Sequence, residues 1–386
     1  MKIVFLSNFF NHHQKPLWEE VYNLIGNDFT FIETSQITEE RLKMGWGEKE
    51  IPNYVKNYNE SIEDKNYCLN LIDNADVVVF GSAPYTLIEN RLKQEKLTFI
   101  YSERVLKKGF SYLKWPVRLY KFYKMYGQYK NLYLLSASAY SSWDFNRLGV
   151  FKNKAYKWGY FPVTKEYKDV DALIKNKEKN SILWCGRFIE WKHPEYAIEV
   201  AKKLKEDGYD FSLNVIGTGE LDNLLKETAI KNGLVNNVKF LGSMKPTEVR
   251  EIMEKSSIYL FTSDKGEGWG AVLNESMNSA CAVVTSHAIG ATPFLVKDRE
   301  NGLIFKSEDV NDLYNKVKYL LDNEDFANNL GKKAYETITT EWNAKVAASR
   351  LLELIINLQK DNKCDIYASG PCSKAEVLKN NWYKNK

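Results

Sequence analysis

Short apolar runs alternate with amphipathic helical stretches from residue 182 onward, and this alternation restricts the fold more than anything else in the chain. Ile182-Leu183-Trp184 leads to a helical pattern over 194–205. Leu213-Asn214-Val215-Ile216-Gly217 leads to one over 221–232, and Val238-Lys239-Phe240-Leu241-Gly242 to one over 247–255. A strand run at 257–261, a glycine-rich loop, a helix and a further strand run at 282–285 complete the series. Short apolar runs separated by helical periods are the units of a parallel sheet, whose ligands collect at the carboxyl ends of its strands. The fold class is α/β.

A first, less regular series precedes this one. Runs at 2–6, 29–33, 77–80, 97–101 and 132–136 read as strands, with a helical pattern at 18–25. Between the two series, the stretch 160–178 is polar and carries Pro162, and 175–180 is charged and short of apolar residues. It reads as a linker between two doubly wound domains, a number that 386 residues can supply. The boundaries are an N-terminal domain at 1–162, a linker at 163–178 and a C-terminal domain at 179–340. A closing helix at 341–360 carries Val346, Leu351, Leu352, Leu354 and Ile355, and a polar, Asn- and Lys-rich tail at 361–386 reads as loosely ordered.

With 44% hydrophobic and 27% charged residues, the chain can bury two cores. No apolar run approaches the roughly 20 residues of a spanning helix, and the run at 1–8 is too short for a secretory core. The protein is expected in the cytoplasm. Its five cysteines (Cys68, Cys185, Cys281, Cys364 and Cys372) have neither zinc-ligand nor redox spacing, and its four histidines form no metal-binding pattern. No metal and no cofactor are expected. The net charge of +4 makes no case for nucleic acid, but it is unevenly spread. Residues 101–130 hold eight basic side chains against the single acid Glu103, interleaved with nine aromatics. This suits peripheral contact with an anionic membrane, on its inner face. A helix with a solvated lysine face, or a basic groove for a phosphate-bearing substrate, suits it as well.

The chemistry is concentrated in Gly266-Glu267-Gly268-Trp269-Gly270-Ala271-Val272-Leu273-Asn274-Glu275. One carboxylate lies in the loop and the other, eight positions on, falls about a turn and a half into the helix. Gly268 and Gly270 let the backbone approach a ligand, and the helix start offers unpaired N–H groups to polar or anionic atoms. Glu267 and Glu275 could grip two parts of one polyhydroxylated ligand; a loop glutamate and a solvated helix glutamate are the plainer alternative. Upstream, Gly186-Arg187-Phe188-Ile189-Glu190-Trp191-Lys192 follows the first strand of the same series. Two cations in such a loop can converge on a diphosphate, Arg187 as a planar fork and Lys192 as a point charge.

Together these segments resemble the retaining glycosyltransferases of family 4 (glycosyltransferase group 1). The resemblance is carried by Gly186-Arg187 with Lys192, Ile216-Gly217-Thr218-Gly219, residues 238–242, and the glutamate-x7-glutamate motif from Glu267 to Glu275. Asn301-Gly302-Leu303-Ile304-Phe305 and Trp342 extend it, so that it covers roughly half of the chain. It implies the GT-B architecture, two Rossmann-like doubly wound domains facing each other across a cleft, and transfer of a hexosyl group from a nucleotide-diphosphate-sugar, UDP- or GDP-linked, without a metal. Arg187 and Lys192 would hold the diphosphate, and Glu275 would accept hydrogen bonds from the ribose hydroxyls. Glu267 would contact the transferred sugar beside the amides of Gly268, Trp269 and Gly270. Gly217, Gly242, Ser243 and Met244 would border the nucleotide. The resemblance also favours attack on the same face that the leaving group departs from.

The N-terminal half departs from the family pattern. Where many members have a glycine pair after the first strand, this chain reads Asn8-Phe9-Phe10-Asn11-His12-His13-Gln14. His12, His13 or Gln14 could contact acceptor or sugar, or the loop could simply cap the helix after it. Glu103, in Ser102-Glu103-Arg104, could do the same or form a local ion pair. An NAD-dependent oxidoreductase, argued from Ile216-Gly217-Thr218-Gly219, lacks the third glycine of its fingerprint, Asp222 standing in its place. A nucleotide-sugar epimerase or phosphorylase, and a non-catalytic sugar-nucleotide-binding partner subunit, are further alternatives. The expected function is transfer of a sugar to a hydroxyl of a glycan or lipid-linked acceptor in cell-surface polysaccharide assembly.

Overall fold

Two parallel sheets organise the chain, as seen in a computed structural model that describes residues 1–39, 50–107, 109, 115–361 and 366–385. The first is built from β1 (Ile3–Ser7), β2 (Phe29–Glu33), β3 (Val55–Asn57), β4 (Val77–Phe80), β5 (Thr98–Ser102), β6 (Leu132–Ser136) and β7 (Ala155–Lys157), in the order β3-β2-β1-β4-β5-β6-β7. The second has β8 (Ser181–Cys185), β9 (Ser212–Ile216), β10 (Val238–Gly242), β11 (Ile258–Phe261), β12 (Ala282–Ser286) and β13 (Leu303–Phe305), in the order β10-β9-β8-β11-β12-β13. Every strand pairing within the two sheets is parallel. The central strands β1, β4, β6, β11 and β12 are buried on both faces, which is why they read as continuous apolar runs rather than as alternation.

By packing, the chain divides into two units. One comprises Met1–Val163 with Trp342–Lys379, the other Thr164–Glu341 with Asn380–Lys386. The final helix, Ala344–Asp361, therefore belongs to the first unit, where it packs on the helix Lys15–Ile25. Just before it, Trp342 is stacked with Phe161 at 6.4 Å between ring centroids.

The division between the units falls between Val163 and Thr164, at the start of the stretch expected as a linker, 163–178, and from Thr164 on that stretch is tied down on the second unit. It holds a helix, Val170–Lys175, capped by the Asp169 carboxylate, which accepts from the Ala172 amide at 2.9 Å. Asn278 brackets Lys165, accepting from its amide (2.7 Å) and donating to its carbonyl (3.0 Å). The Lys177 ammonium donates to the carbonyls of Ser256 (2.9 Å) and Ser279 (2.8 Å), where two helices end. Polar composition hid these bonds because they run from polar side chains to backbone groups distant in sequence. The described part of the tail is likewise packed. Cys372 and Ala375 are buried, Lys374 bridges to Tyr156, and the Tyr383 hydroxyl donates to the Ile304 carbonyl.

Candidate functional site

In the second sheet the strand order reverses direction at β8 and β11, so the loops that follow them part and leave a crevice at the carboxyl ends. These are the loops that carry Arg187 and Lys192 on one side and Glu267 on the other. They are stitched together at their bases. Trp184 Nε1 donates to Thr262 Oγ1 (2.8 Å), whose hydroxyl donates to the Lys192 carbonyl (2.7 Å), and the Asp264 amide donates to the Trp191 carbonyl (3.0 Å).

Lys192 and Glu267 form an ion pair with both side chains largely out of solvent. Ser263 Oγ donates to the same carboxylate oxygen at 3.2 Å. The ammonium also lies 4.8 Å from the Trp191 ring centroid and 5.7 Å from that of Phe261. Arg187 is exposed, its guanidinium 5.9 Å from the Trp191 ring, and it is in no ion pair among the described residues. Two cations thus stand at one loop, one held by a carboxylate and the other available.

Glu275 sits on the helix Ala271–Asn278 that leaves this loop. No donor among the described residues reaches its carboxylate. Burial pushes its pKa up to about 7, and the Arg250 guanidinium works in the opposite direction. Gly268 is buried, and neither its amide nor that of Gly270 meets an acceptor among the described residues. The Trp269 indole points into the core, where Nε1 donates to Asn274 Oδ1 at 2.9 Å. The edge of the sheet thus carries an unpartnered carboxylate, two amides and an available guanidinium.

Gly217, Gly242, Ser243 and Met244 lie on the β9–β10 side of the same edge. The Gly217 amide donates to the Gly242 carbonyl at 2.8 Å, which commits both groups, while Ser243 is exposed beyond them. Gly217 has φ +134°, and a Cβ there would come within 1.8 Å of the Gly186 carbonyl oxygen. The two glycines of Gly217-Thr218-Gly219 therefore let β9 close against the loop after β8. That role removes the reason for reading them as a dinucleotide fingerprint.

His193 was not singled out by the sequence. Its imidazole lies between the carboxylates of Glu195 (2.7 Å) and Asp264 (3.9 Å), and stacks on Tyr196. Burial opposes its charge, but Asp264 and Glu195 outweigh that and raise its pKa to about 9. The imidazolium links the loop after β8 to the loop after β11, one residue beyond Lys192. The only local sign was a histidine before the helix-starting Pro194.

The first sheet reverses at β1 and β4, and a cavity of about 520 Å³ opens there. His13, Gln14 and Glu103 all line it, with Asn8, Asn11 and Ser82; His12 does not. The His12 ring lies 3.8 Å from that of His13. Burial, and then His12, lower the pKa of His13 to about 3, so its imidazole is neutral. Glu103 accepts from Lys107 Nζ and from the Tyr160 hydroxyl, both at 2.6 Å, whereas Arg104 pairs with buried Asp144. The β1 loop also caps its helix, since the Asn11 carbonyl accepts from the amides of Gln14 and Lys15.

Among the described residues no cluster of three or more His, Cys, Asp or Glu side chains could hold a metal ion. No described helix is long and apolar enough to cross a membrane. Of the basic aromatic segment, Lys108, Phe110, Tyr112 and Lys114 lie outside the described residues.

Residues 166–337 match the family model of the glycosyl transferases group 1. This stretch is a group 1 glycosyltransferase domain. An uncharacterized glycosyltransferase of Methanocaldococcus jannaschii is 29% identical over 166 residues, which cover 43% of this chain and 45% of the relative. A trehalose synthase of Thermococcus litoralis is 27% identical over 195 residues, covering 49% of this chain and 47% of the relative. The chain thus spans about half the length of the curated relatives it matches. HepE of Anabaena, solved in complex with UDP, superposes with a TM-score of 0.70 at 16% identity, over 93% of this chain and 100% of that one. The likeness in fold extends well past the group 1 domain, and the two doubly wound sheets are those of the GT-B fold.

Proposed function

We propose that the protein is a retaining, metal-independent glycosyltransferase. It moves a hexosyl group from a nucleotide-diphosphate-sugar to a hydroxyl of a glycan or lipid-linked saccharide, in cell-surface polysaccharide assembly. The observation that carries the reading is the convergence, at the β8/β11 reversal, of available Arg187, paired Lys192 and Glu267, and unpartnered Glu275. A nucleoside diphosphate needs just these groups: cations for its phosphates and an acceptor for its ribose hydroxyls. The UDP bound by HepE favours uridine as the base.

In this reading Glu275 accepts from the ribose, and the amides of Gly268 and Gly270 lie alongside phosphate or sugar. Arg187 and Lys192 face the diphosphate. The bond from the anomeric carbon to the phosphate oxygen breaks, and negative charge gathers on the departing diphosphate. Fixed cations there act on the transition state more than on the ground state. The acceptor oxygen attacks from the same face, and its proton passes to a leaving phosphate oxygen. Glu267 holds Lys192 in register and contacts the sugar hydroxyls. The Asp169-Val170-Asp171 string supplies no metal in this scheme, its carboxylates being taken up by a helix cap and by Lys332. His13, Gln14 and Glu103 line the acceptor's cavity, with His12 behind them. A peripheral position on the inner face of an anionic membrane completes the reading.

Thermal shift with UDP, GDP, ADP and NAD, each with magnesium and with EDTA, tests it. A ligand at about 100 times its Kd adds about 2.7 kcal/mol of stability. Stabilisation by one nucleoside diphosphate, unchanged by EDTA, is the expected result. A response to NAD alone overturns the reading, and silence from all four favours a non-catalytic partner subunit.

A further inference from the structure

Arg104 and Lys107 line the 520 Å³ cavity of the first unit, and both are already held. Arg104, 4% exposed, pairs with the Asp144 carboxylate at 3.3 Å, and its guanidinium lies 4.9 Å from the Tyr140 ring centroid. Lys107 is held by one oxygen of Glu103, whose other oxygen accepts from the Tyr160 hydroxyl. The His13 imidazole beside them is neutral, burial having lowered its pKa to about 3. Among the described lining residues the charges therefore cancel in pairs, and no cation is left over for a carboxylate or a phosphate.

The polar groups left over are neutral ones. The side-chain oxygens of Asn8 and Asn11 accept from the amides of Phe9 and His13, both at 3.0 Å, while their Nδ2 groups meet no acceptor among the described residues. The Gln14 amide oxygen is buried and meets no donor among them. Its Nε2 is held only by Ser7 Oγ, at 3.4 Å, and a terminal amide torsion is broad, so a small turn brings the oxygen to a ligand. Two donors and one acceptor thus stand on residues of one cavity. A hydroxyl both donates and accepts, and can answer either kind. The apolar part of the wall includes Phe122 and Tyr126, from the helix Trp115–Phe122 and the π-turn Tyr123–Gly127 that continues it; Tyr123, between them, is 55% exposed. Aromatic walls with a few placed polar groups suit a pyranose, which has C–H faces and a rim of hydroxyls. An anion would be stripped of water there without a counter-charge, at a cost of several kcal/mol.

We propose that this cavity selects an uncharged sugar ring, its hydroxyls held by Asn8, Asn11 and Gln14 and its C–H face against Phe122 and Tyr126, and excludes uronic acids and sugar phosphates. In a lipid-linked acceptor the phosphates then stay outside the cavity. That the bound sugar is the acceptor rests on the glycosyltransferase reading; the choice of charge does not.

The test is saturation-transfer NMR on the full chain with methyl glycosides of glucose, galactose and mannose, against glucuronic acid and glucose 6-phosphate. Transfer to at least one neutral glycoside and to neither anion is expected. Gln14→Met keeps the length of the side chain and removes its acceptor, so it should weaken that binding roughly tenfold without lowering the melting temperature, since no partner is left stranded. Binding of either anion as tight as that of the neutral glycosides overturns the proposal. So does silence from all three glycosides, or undiminished binding by Gln14→Met. A UDP thermal shift on the same preparations keeps the two readings apart. Failed glycoside binding with an intact UDP response sinks only this proposal, whereas glycoside binding without a UDP response supports it and sinks the transferase reading.

Discussion

Lys192 and Glu267 stand 75 positions apart in the chain and meet as a largely buried ion pair across the two loops of the β8/β11 crevice. A buried charge is tolerable only when paired, and removing one partner strands the other. The pair therefore serves the fold as well as the site.

Lys192→Ala should destabilise the protein by about 3 kcal/mol, because it leaves Glu267 uncompensated. Lys192→Met/Glu267→Gln should recover most of that stability in urea titrations without restoring turnover. With Lys192 facing the leaving phosphate as proposed, its loss should lower kcat by roughly 10²–10³. A double variant no more stable than Lys192→Ala would show that the pair carries no such burden.

Glu275 should make stability and nucleotide binding respond to pH in opposite senses. Its folded pKa, about 7, lies above the ordinary carboxylate value of 4.5. Below pH 4.5 both states are protonated. As pH rises from there to 7 the unfolded chain loses its proton first, so stability contributed by the neutral acid is progressively lost, by roughly 2–3 kcal/mol. Glu275→Gln should flatten that slope between pH 4.5 and 7. With Glu275 holding the ribose as proposed, UDP affinity should rise through pH 7 in the unaltered protein, and Glu275→Gln should remove that rise.

His193 works on the alkaline side. Its pKa is raised to about 9 from 6.5, so the stability due to its charge is fully present below pH 6.5 and lost as pH rises through 9. His193→Asn, which tolerates the left-handed φ of +49°, should cost roughly 2 kcal/mol at pH 6 and almost nothing at pH 10. Thermal melts of the two proteins across that range read the difference directly.

Gly217→Ala should cost roughly 3 kcal/mol or more, because φ +134° is strained for any side chain and the Gly186 carbonyl fills the space. If the expressed variant folds, its response to UDP should weaken, since β9 no longer closes against the loop that carries Arg187. Gly208→Ala is the comparison: its φ is also positive, at +79°, yet nothing lies within 4 Å, so its cost should stay near the backbone strain alone, about 1 kcal/mol.

Strands buried on both faces were legible as apolar runs, and β1, β2, β4, β6 and β8 to β12 fall where the pattern puts them. The three-residue strands β3 and β7 escaped it, because Val55-Lys56-Asn57 and Ala155-Tyr156-Lys157 are too short and too polar to show a period. The candidate site was legible where its residues share a loop or a helix, as from Glu267 to Glu275. His193 was not, since its imidazolium depends on Asp264, which chain topology brings near.

What the sequence determined by itself is the local grammar: which runs extend, which coil, where glycines and charges punctuate them, and hence two doubly wound sheets. These follow from periodicity and side-chain chemistry acting over a few residues. Only the tertiary structure decided that Lys192 is committed to Glu267 while Arg187 stays in no ion pair among the described residues, and that no donor among them reaches the Glu275 carboxylate. It also decided that the stretch at 163–178 is bonded to the second unit, and that Phe122 and Tyr123, adjacent in sequence, serve a cavity wall and an exposed face. Such assignments depend on distances between segments far apart in the chain, and on the desolvation that packing imposes, which no local pattern encodes.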